Sequence, residues 1–279
     1  MIETARGFVN SWECDENRHM NVQFYLRRFE TASAIFAALA GTGLSDASMV
    51  KTRHVRYHRE LIEADCIRTV SGTVTDGPFS GRVLHAIYHT GNGALCATAL
   101  DELVSQEIAA RLGELSAADA DITALASPRG LDDGDIEAAG YDAMLASGEA
   151  VTSFRHVLGP ADCDRDGNIL SSTFISCFTD GAPHAWDLTG LTSTWLQGQN
   201  FGRVAVELKL QRCAEACPGD ILELVSWAGD IQEKTFRISH VVRNMVTREV
   251  LALGQVRNVV LDLETRRVVK LPGFVHGAT

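Results

Sequence analysis

The spacing of hydrophobic and polar positions predicts one long helix followed by a run of short strands. From Val22 to about Ala40 apolar residues recur at helical spacing, and Gly41 is a typical helix end. A short strand is expected just before this helix, over residues 6–12. After the helix, apolar and polar residues alternate and turn residues separate the segments. The expected strands cover residues 54–61, 66–75, 82–89 and 94–104.

The same pattern returns in the second half of the chain. Asp15 and Asp164 each follow a Cys and stand 149 positions apart, and the same offset pairs Phe29 with Phe178. A repeat of about half the chain is too long for a solenoid unit and indicates a duplicated domain. In this second copy we expect a helix over residues 171–189. Strands are expected near residues 203–213, 221–227, 235–244 and 249–261.

The segment between the two copies has a different composition. Residues 107–149 are rich in Ala, Asp, Gly and Ser, which predicts a short helix and an exposed linker. We therefore expect an N-terminal domain of residues 1–130, a linker of residues 131–150 and a C-terminal domain of residues 151–279. Each domain has one sheet and one long helix to bury, and the simplest solution wraps the sheet around the helix. The expected fold class is α+β.

Composition narrows the range of functions. A hydrophobic content of 46% and a charged content of 22% are typical of a globular protein, and no apolar run is long enough for a transmembrane helix. A net charge of −11 argues against a nucleic-acid partner. Seven cysteines without a CxxC pair, and no secretion signal at the start, favour a cytoplasmic location. No metal is expected, because the calcium-loop-like stretch from Asp162 to Gly167 has Thr173 where calcium needs a Glu.

Residues 51–59 form a basic stretch in an otherwise acidic chain. Arginine side chains match phosphate oxygens, so a basic cluster predicts a phosphate-binding stripe. A solvated strand would show the same residues, and the sequence leaves both interpretations open. Six basic side chains fall in this stretch: Lys51, Arg53, His54, Arg56, His58 and Arg59.

The turn before the first helix resembles a known signature. The pattern Asp15-x-x-x-His19-Met20-Asn21-x-x-x-Tyr25 is similar to the Asp-x-x-Gly-His-[Val/Met]-Asn-x-x-x-Tyr motif of hotdog-fold acyl-CoA thioesterases of the 4-hydroxybenzoyl-CoA thioesterase type. The resemblance is strongest over residues 6–41. It implies two tandem hotdog folds, each an antiparallel sheet wrapped around a central helix, joined as a pseudo-dimer. Active sites in this family lie at the interface between hotdogs.

The sequence departs from that motif in two places. Arg18 stands where the family usually has Gly, and this difference would either change the turn or bring a cation to the mouth of the site. In the second copy Asn168, Leu170 and Phe174 replace the His, Asn and Tyr of the motif. Asp164 persists, so its turn with Asn168 is a candidate second site. The loss of its polar neighbours favours a structural role for this turn.

The resemblance implies an enzyme that hydrolyses an acyl-CoA thioester to a free acid and coenzyme A. Asp15 would act as nucleophile or general base, and the backbone N–H near Val22 would donate to the developing oxyanion. Asn21 would orient the acyl group or a water, and His19 would hold Asn21 or carry a proton. A carboxylate before a helix is also a common cap, but His19, Asn21 and Tyr25 in register favour catalysis. The expected substrate-binding residues are Arg18, Tyr25, Arg53, Arg56 and Arg59.

Two other functions remain open at this point. A hotdog hydratase or dehydratase would act on the acyl chain and would use His19 with a carboxylate. A non-catalytic acyl-CoA binding module would need no carboxylate, and the retained Asp15 disfavours it. No cofactor is expected, and the expected partner is an acyl-CoA or an acyl carrier protein. The acyl chain and any assembly into a homo-oligomer are left open.

Overall fold

The computed structural model describes residues 1–43, 45–138 and 140–277. The chain divides into two units. The first consists of Met1–Arg129 with Asp164–Ser172, and the second of Gly130–Cys163 with Thr173–Thr279. The first unit therefore contains the first copy together with the turn that begins at Asp164 in the second copy.

The first long helix, α1 (Val22–Leu39), has the bounds that its apolar spacing predicts. Asn21 caps its start, because its side chain accepts the backbone N–H of Gln23 at 3.1 Å. Gly41 follows the end of the helix, and its φ of 70° lies in the left-handed region that favours glycine. Leu26 and Phe29 are fully buried on the face that packs against the sheet.

The sheet of the first unit is antiparallel and has the order β1-β3-β4-β5-β2. Its first strand covers residues 2–8 instead of the predicted 6–12. Asn10 and Glu13 form a capping box that turns the chain into a short 3-10 helix, Ser11–Glu13, and the strand ends before it. The strands are β1 (Ile2–Phe8), β2 (Val50–Tyr57), β3 (Cys66–Thr73), β4 (Val83–His89) and β5 (Leu95–Leu103).

Short helices complete the first unit. They are α2 (Asp46–Met49), α3 (Gln106–Leu115) and α4 (Ala120–Ala126). Ser105 caps α3 and Asp119 caps α4 through backbone N–H groups of the first turn. Leu112 of α3 packs against Phe36 of α1, so this segment contributes to the core of the unit.

The second unit repeats this order of elements. Its sheet has the order β7-β10-β9-β8-β6, with β11 paired to β10. The ring of Phe178 in its long helix stacks on His240 of the sheet, with ring centroids 4.4 Å apart. The strands are β6 (Ala150–Val157), β7 (Phe201–Arg212), β8 (Ile221–Gly229), β9 (Thr235–Asn244), β10 (Val250–Asp262) and β11 (Arg267–Val268). The helices are α5 (Tyr141–Ser147), α6 (Ser171–Asp187), whose first two residues belong to the first unit, and α7 (Ser193–Gln199).

The predicted exposed linker needs a correction. One short helix was expected within residues 107–149, but the described residues between Gln106 and Glu149 contain the three helices α3, α4 and α5. Leu131 and Ile136 are buried, and Ile136 packs against Val241 and Leu253 of the second sheet. A few apolar side chains are enough to hold the segment on the sheet although most of its residues are polar. No helix in the described part of the chain is long and apolar enough to cross a membrane.

The predicted arrangement of sheets and long helices is confirmed. The helices predicted at 22–40 and 171–189 lie at Val22–Leu39 and Ser171–Asp187. Each unit contains an antiparallel sheet, and both units follow the same order of strands. The α+β class therefore holds for both copies.

Candidate active site

The turn that carries Asp15 is held by backbone hydrogen bonds. The Asp15 N–H donates to the carbonyl of His19 at 2.8 Å, and the Arg18 N–H donates to the carbonyl of Asp15 at 2.9 Å. Oδ1 of Asp15 accepts the N–H of Asn17 at 2.8 Å and that of His19 at 3.2 Å. Arg18 completes the turn with a φ of 62°, a conformation that suits the Gly usual at this position. The carboxylate is thus fixed in direction by the main chain.

This turn is also tied to the neighbouring chain on both sides. The Met20 N–H donates to the carbonyl of Leu61 at 2.7 Å, and His19 forms a β-bridge with Ile62. On the other side, the Asn21 N–H donates to the carbonyl of Glu13 at 2.8 Å. These bonds place the Asp15 turn directly before the start of α1.

The environment of Asp15 favours a basic carboxylate. Burial raises the pKa of Asp15, and the backbone N–H groups of His19 and Asn17 offset only part of that effect. Oδ2 receives no hydrogen bond from any residue that the structure describes. One carboxylate oxygen is therefore anchored, and the other is available to a substrate or a water.

The start of α1 provides a hydrogen-bond donor close in sequence to this carboxylate. Asn21 caps Gln23, and the Phe24 N–H donates to the carbonyl of Asn21 at 3.0 Å. Within the described ranges, the Val22 N–H has no protein acceptor. An unpaired N–H at a helix start carries a positive partial charge, so it can stabilise an oxyanion. The side-chain oxygen of Asn21 forms the cap, and the expectation that its amide orients the acyl group or a water stays a prediction.

The His19 side chain lies near a second carboxylate. Its Nδ1 is 3.5 Å from Oε1 of Glu60. Glu60 and Arg59 line a pocket of about 320 Å³ together with Ile62, which bridges to His19. The exposed Arg59 guanidinium is therefore the one member of the predicted basic stripe that borders this pocket.

The predicted phosphate-binding stripe is wrong for Arg53. Its side chain is fully buried, and its Nη2 lies 2.6 Å from the Asp101 carboxylate. It extends from the face of β2 that packs on α1, since it also donates to Ser33 of α1 at 3.1 Å. Arg56 donates to the carbonyls of Leu125 and Ser127 and so holds the end of α4. Residue spacing within one strand could not reveal these partners.

Tyr25 is a residue of the hydrophobic core. It is buried, and its hydroxyl accepts the backbone N–H of Leu61 at 3.2 Å. Its ring meets that of Tyr57 edge-on, with centroids 5.1 Å apart. Burial raises its pKa well above the usual tyrosine value. Tyr25 therefore supports the Leu61 segment to which the Asp15 turn is bonded, which corrects its predicted role as a substrate contact.

The turn of the second copy has the same backbone pattern but a different carboxylate environment. Oδ1 of Asp164 accepts the N–H groups of Asp166 and Asn168, each at 2.9 Å. Its Oδ2 accepts the Ser45 hydroxyl at 2.6 Å and the Asn168 side-chain amide at 3.3 Å. Burial alone would raise the pKa of Asp164, but the bonds from Ser45 and Asn168 lower it. Both oxygens of this carboxylate are occupied.

Sequence reasoning missed a partly buried ion pair that supports the first turn. The Arg28 guanidinium donates to both carboxylate oxygens of Glu13, at 2.6 and 2.8 Å. Glu13 also accepts the backbone N–H of Asn10 at 2.8 Å. The Asn-x-x-Glu spacing of a capping box was visible in the sequence. The Ser45 contact with Asp164 had no local signal, because 119 positions separate the two residues.

Comparison with known proteins identifies the fold. Three solved structures each resemble 92% of this chain. One is designated an oleoyl thioesterase from Lactobacillus plantarum, with a TM-score of 0.62, 10% sequence identity and 94% of that chain covered. The others are an acyl-ACP thioesterase from Bacteroides thetaiotaomicron (TM-score 0.55, 12% identity, 96% of that chain) and a 12:0-ACP thioesterase from Umbellularia californica (TM-score 0.58, 12% identity, 93% of that chain). At these identities the likeness shows the fold alone. No curated protein sequence matches the chain.

A family model matches both copies separately. It covers residues 9–125 and again residues 158–278, which together make up most of the chain. This double match agrees with the duplication read from the sequence and with the repeated order of strands. The family match and the shared fold confirm the predictions of a thioester hydrolase and of two tandem hotdog folds. The chain belongs to the thioesterase-like superfamily.

Proposed function

We propose that the protein hydrolyses an acyl thioester at the Asp15 turn. In one route the Asp15 carboxylate attacks the thioester carbonyl, the C–S bond breaks, the thiolate leaves, and water hydrolyses the resulting anhydride. In the other route Asp15 takes a proton from a water molecule as that water attacks the carbonyl, the C–S bond of the tetrahedral intermediate then breaks, and the leaving thiolate receives the proton from Asp15. In both routes the Val22 N–H stabilises the charge that develops on the carbonyl oxygen.

The unoccupied oxygen of Asp15 is the observation that carries this proposal. Oδ1 is anchored by two backbone N–H groups, while Oδ2 takes no hydrogen bond within the described residues. The raised pKa makes the carboxylate a better base at neutral pH than an exposed Asp. His19, close to Glu60, is positioned to carry a proton to or from this region.

The two copies are proposed to be unequal. Asp164 directs both oxygens to protein donors, and Leu170 replaces the Asn that caps the first helix. A carboxylate whose oxygens are all engaged must break hydrogen bonds before it can act as a base, which costs free energy. Asp15 is therefore the catalytic carboxylate, and the turn at Asp164 and Asn168 has a structural role.

The proposed substrate carries a phosphopantetheine thiol, on either coenzyme A or an acyl carrier protein. Two of the similar structures are named as ACP thioesterases, which brings the carrier protein into the proposal. Arg18 and Arg59 are exposed and are the proposed contacts for phosphate groups. Both lie on segments joined to the Asp15 turn, since Arg18 is part of the turn and Arg59 precedes the bridge at Ile62.

A thiol-release assay tests the proposal. Saturated acyl-CoAs of several lengths, and the same acyl groups on a carrier protein, are incubated with the purified chain. We expect release of free thiol above the uncatalysed rate from at least one of them. A dehydratase cannot release thiol from a saturated acyl group, and a binding module would bind without turnover. Binding with no thiol release across the whole panel would refute the proposed activity.

A further inference from the structure

Glu30 provides a carboxylate at the start of α6. Its Oε1 accepts the backbone N–H of Ser172 at 2.7 Å, across 142 positions of sequence. Ser171 and Ser172 are the first two residues of α6 and belong to the first unit, as Glu30 does. Glu30 is 9% exposed and Ser172 is 4% exposed. The contact therefore lies away from solvent, where a charged hydrogen bond is strong.

The two copies use different side chains to cap the backbone N–H of the second residue of their long helices. Ser172 stands at the position of Gln23, and in the first copy Asn21 caps Gln23 with its own side chain. The residue at the Asn21 position of the second copy is Leu170, which has no acceptor in its side chain. Glu30 provides the missing acceptor from α1. At the position of Glu30 the second copy has Thr179, which has no carboxylate.

We propose that Glu30 acts as a built-in anion that closes the helix start of the second copy to an acyl thioester. This inference rests on the proposed function, because it concerns the helix start that would otherwise stabilise an oxyanion. A negative charge already bonded to Ser172 repels a second negative charge on a carbonyl oxygen. In the first copy the corresponding N–H, that of Gln23, is bonded to the neutral side-chain amide of Asn21, so the group that caps this helix carries no charge that would repel an oxyanion at the Val22 N–H. One chain therefore offers one helix start to its substrate.

Replacing the carboxylate tests whether an anion belongs at Ser172. Glu30→Ala is expected to lower Tm by several degrees, because it removes a buried charged hydrogen bond. Sodium acetate or formate should then raise the Tm of this variant along a saturating curve, whereas sodium chloride at equal ionic strength should not. The control is Asp119→Ala, which removes an exposed cap of α4 that water can replace. Acetate that acts equally on both variants, or on neither, would overturn the proposal.

Kinetics test whether Glu30 is itself a catalytic group. Glu30→Gln keeps an oxygen acceptor of the same size and covers the case in which Glu30→Ala does not fold. We expect its kcat and KM for thiol release to stay within about threefold of the wild type. A loss of about a hundredfold in kcat at matched Tm would make Glu30 a catalytic group and overturn the proposal. If the wild type itself releases no thiol, the proposed activity fails, while the acetate experiment still decides the role of Glu30.

Discussion

The guanidinium of Arg53 lies 2.6 Å from the carboxylate of Asp101, and neither side chain reaches solvent. The two residues face each other across β2 and β5. In the second copy β7 and β10 place Leu208 opposite Val256 in the same register. Although burial favours the neutral acid, Arg53 holds the pKa of Asp101 at about 2. The first copy thus has an ion pair at these two strand positions, and the second copy has the apolar pair Leu208 and Val256.

For the Arg53–Asp101 pair we expect that removing one partner lowers the free energy of unfolding more than replacing both partners with apolar residues. Asp101→Asn leaves the buried Arg53 charge without its partner and should lower the free energy of unfolding by about 3–5 kcal/mol. The double substitution Arg53→Leu with Asp101→Val reproduces the pair of the second copy. It should change the free energy of unfolding by less than about 2 kcal/mol in either direction. Urea unfolding measures both variants, and equal losses would contradict this account of the pair.

The residues with left-handed backbone in the two turns, Gly167 and Arg18, predict unequal effects of exchange on stability. Gly167, with a φ of 87°, has open space around its Cα, so Gly167→Ala adds only backbone strain. It should lower the free energy of unfolding by about 1 kcal/mol. Arg18→Gly relieves the same strain but loosens the unfolded chain, so its net change should be smaller than about 1 kcal/mol. A large loss on Arg18→Gly would instead show that the Arg18 side chain holds the turn together.

The Ser45 contact predicts a pH-dependent contribution to stability. The pKa of Asp164 is lowered in the folded protein, so its bonds stabilise the protein above the unfolded pKa of about 3.9. This contribution is lost as the pH falls through the lowered pKa. The loss caused by Ser45→Ala should therefore be largest at neutral pH and shrink in acid. Ser80→Ala, which removes an exposed hydroxyl contact to the Thr75 carbonyl, is the control and should cause a loss independent of pH.

The raised pKa of Asp15 predicts the acid limb of the activity profile. Catalysis needs the ionised carboxylate, so kcat/KM should fall as the pH drops through the pKa of Asp15. Because burial raises that pKa, the midpoint should lie above the usual aspartate value of about 3.9. Thiol release is measured across the acid range while circular dichroism confirms that the protein stays folded. A midpoint at or below the usual value would contradict the assigned environment of Asp15.

Much of the fold was predictable because its signals are local. The apolar spacing of α1, the Asn21 cap and the Gly41 end define one helix without any knowledge of its partners. The repeat at 149 positions then predicts the second helix and sheet. The same locality explains the Asp15 turn, whose hydrogen bonds span only two to four residues.

Features of the site that depend on distant residues were not predictable in this way. The partner of Arg53 lies 48 positions away, and the sequence could not distinguish a buried pair from an exposed basic stripe. Ser45 reaches Asp164 across 119 positions, and Glu30 reaches Ser172 across 142. These contacts determine which carboxylate oxygens and helix N–H groups remain available. They appear only when the chain is folded.

Asp15 and Asp164 occupy corresponding positions in the two copies, and paired substitutions test whether Asp15 alone is catalytic. Asp15→Asn and Asp164→Asn make the same chemical change at the same position of the two copies. In proteins of matched Tm, Asp15→Asn should lower kcat for thiol release by roughly 10²–10⁴-fold. Asp164→Asn should keep kcat within about threefold of the wild type. Equal losses from the two substitutions, or a greater loss from Asp164→Asn, would contradict the assignment of Asp15 as the catalytic carboxylate.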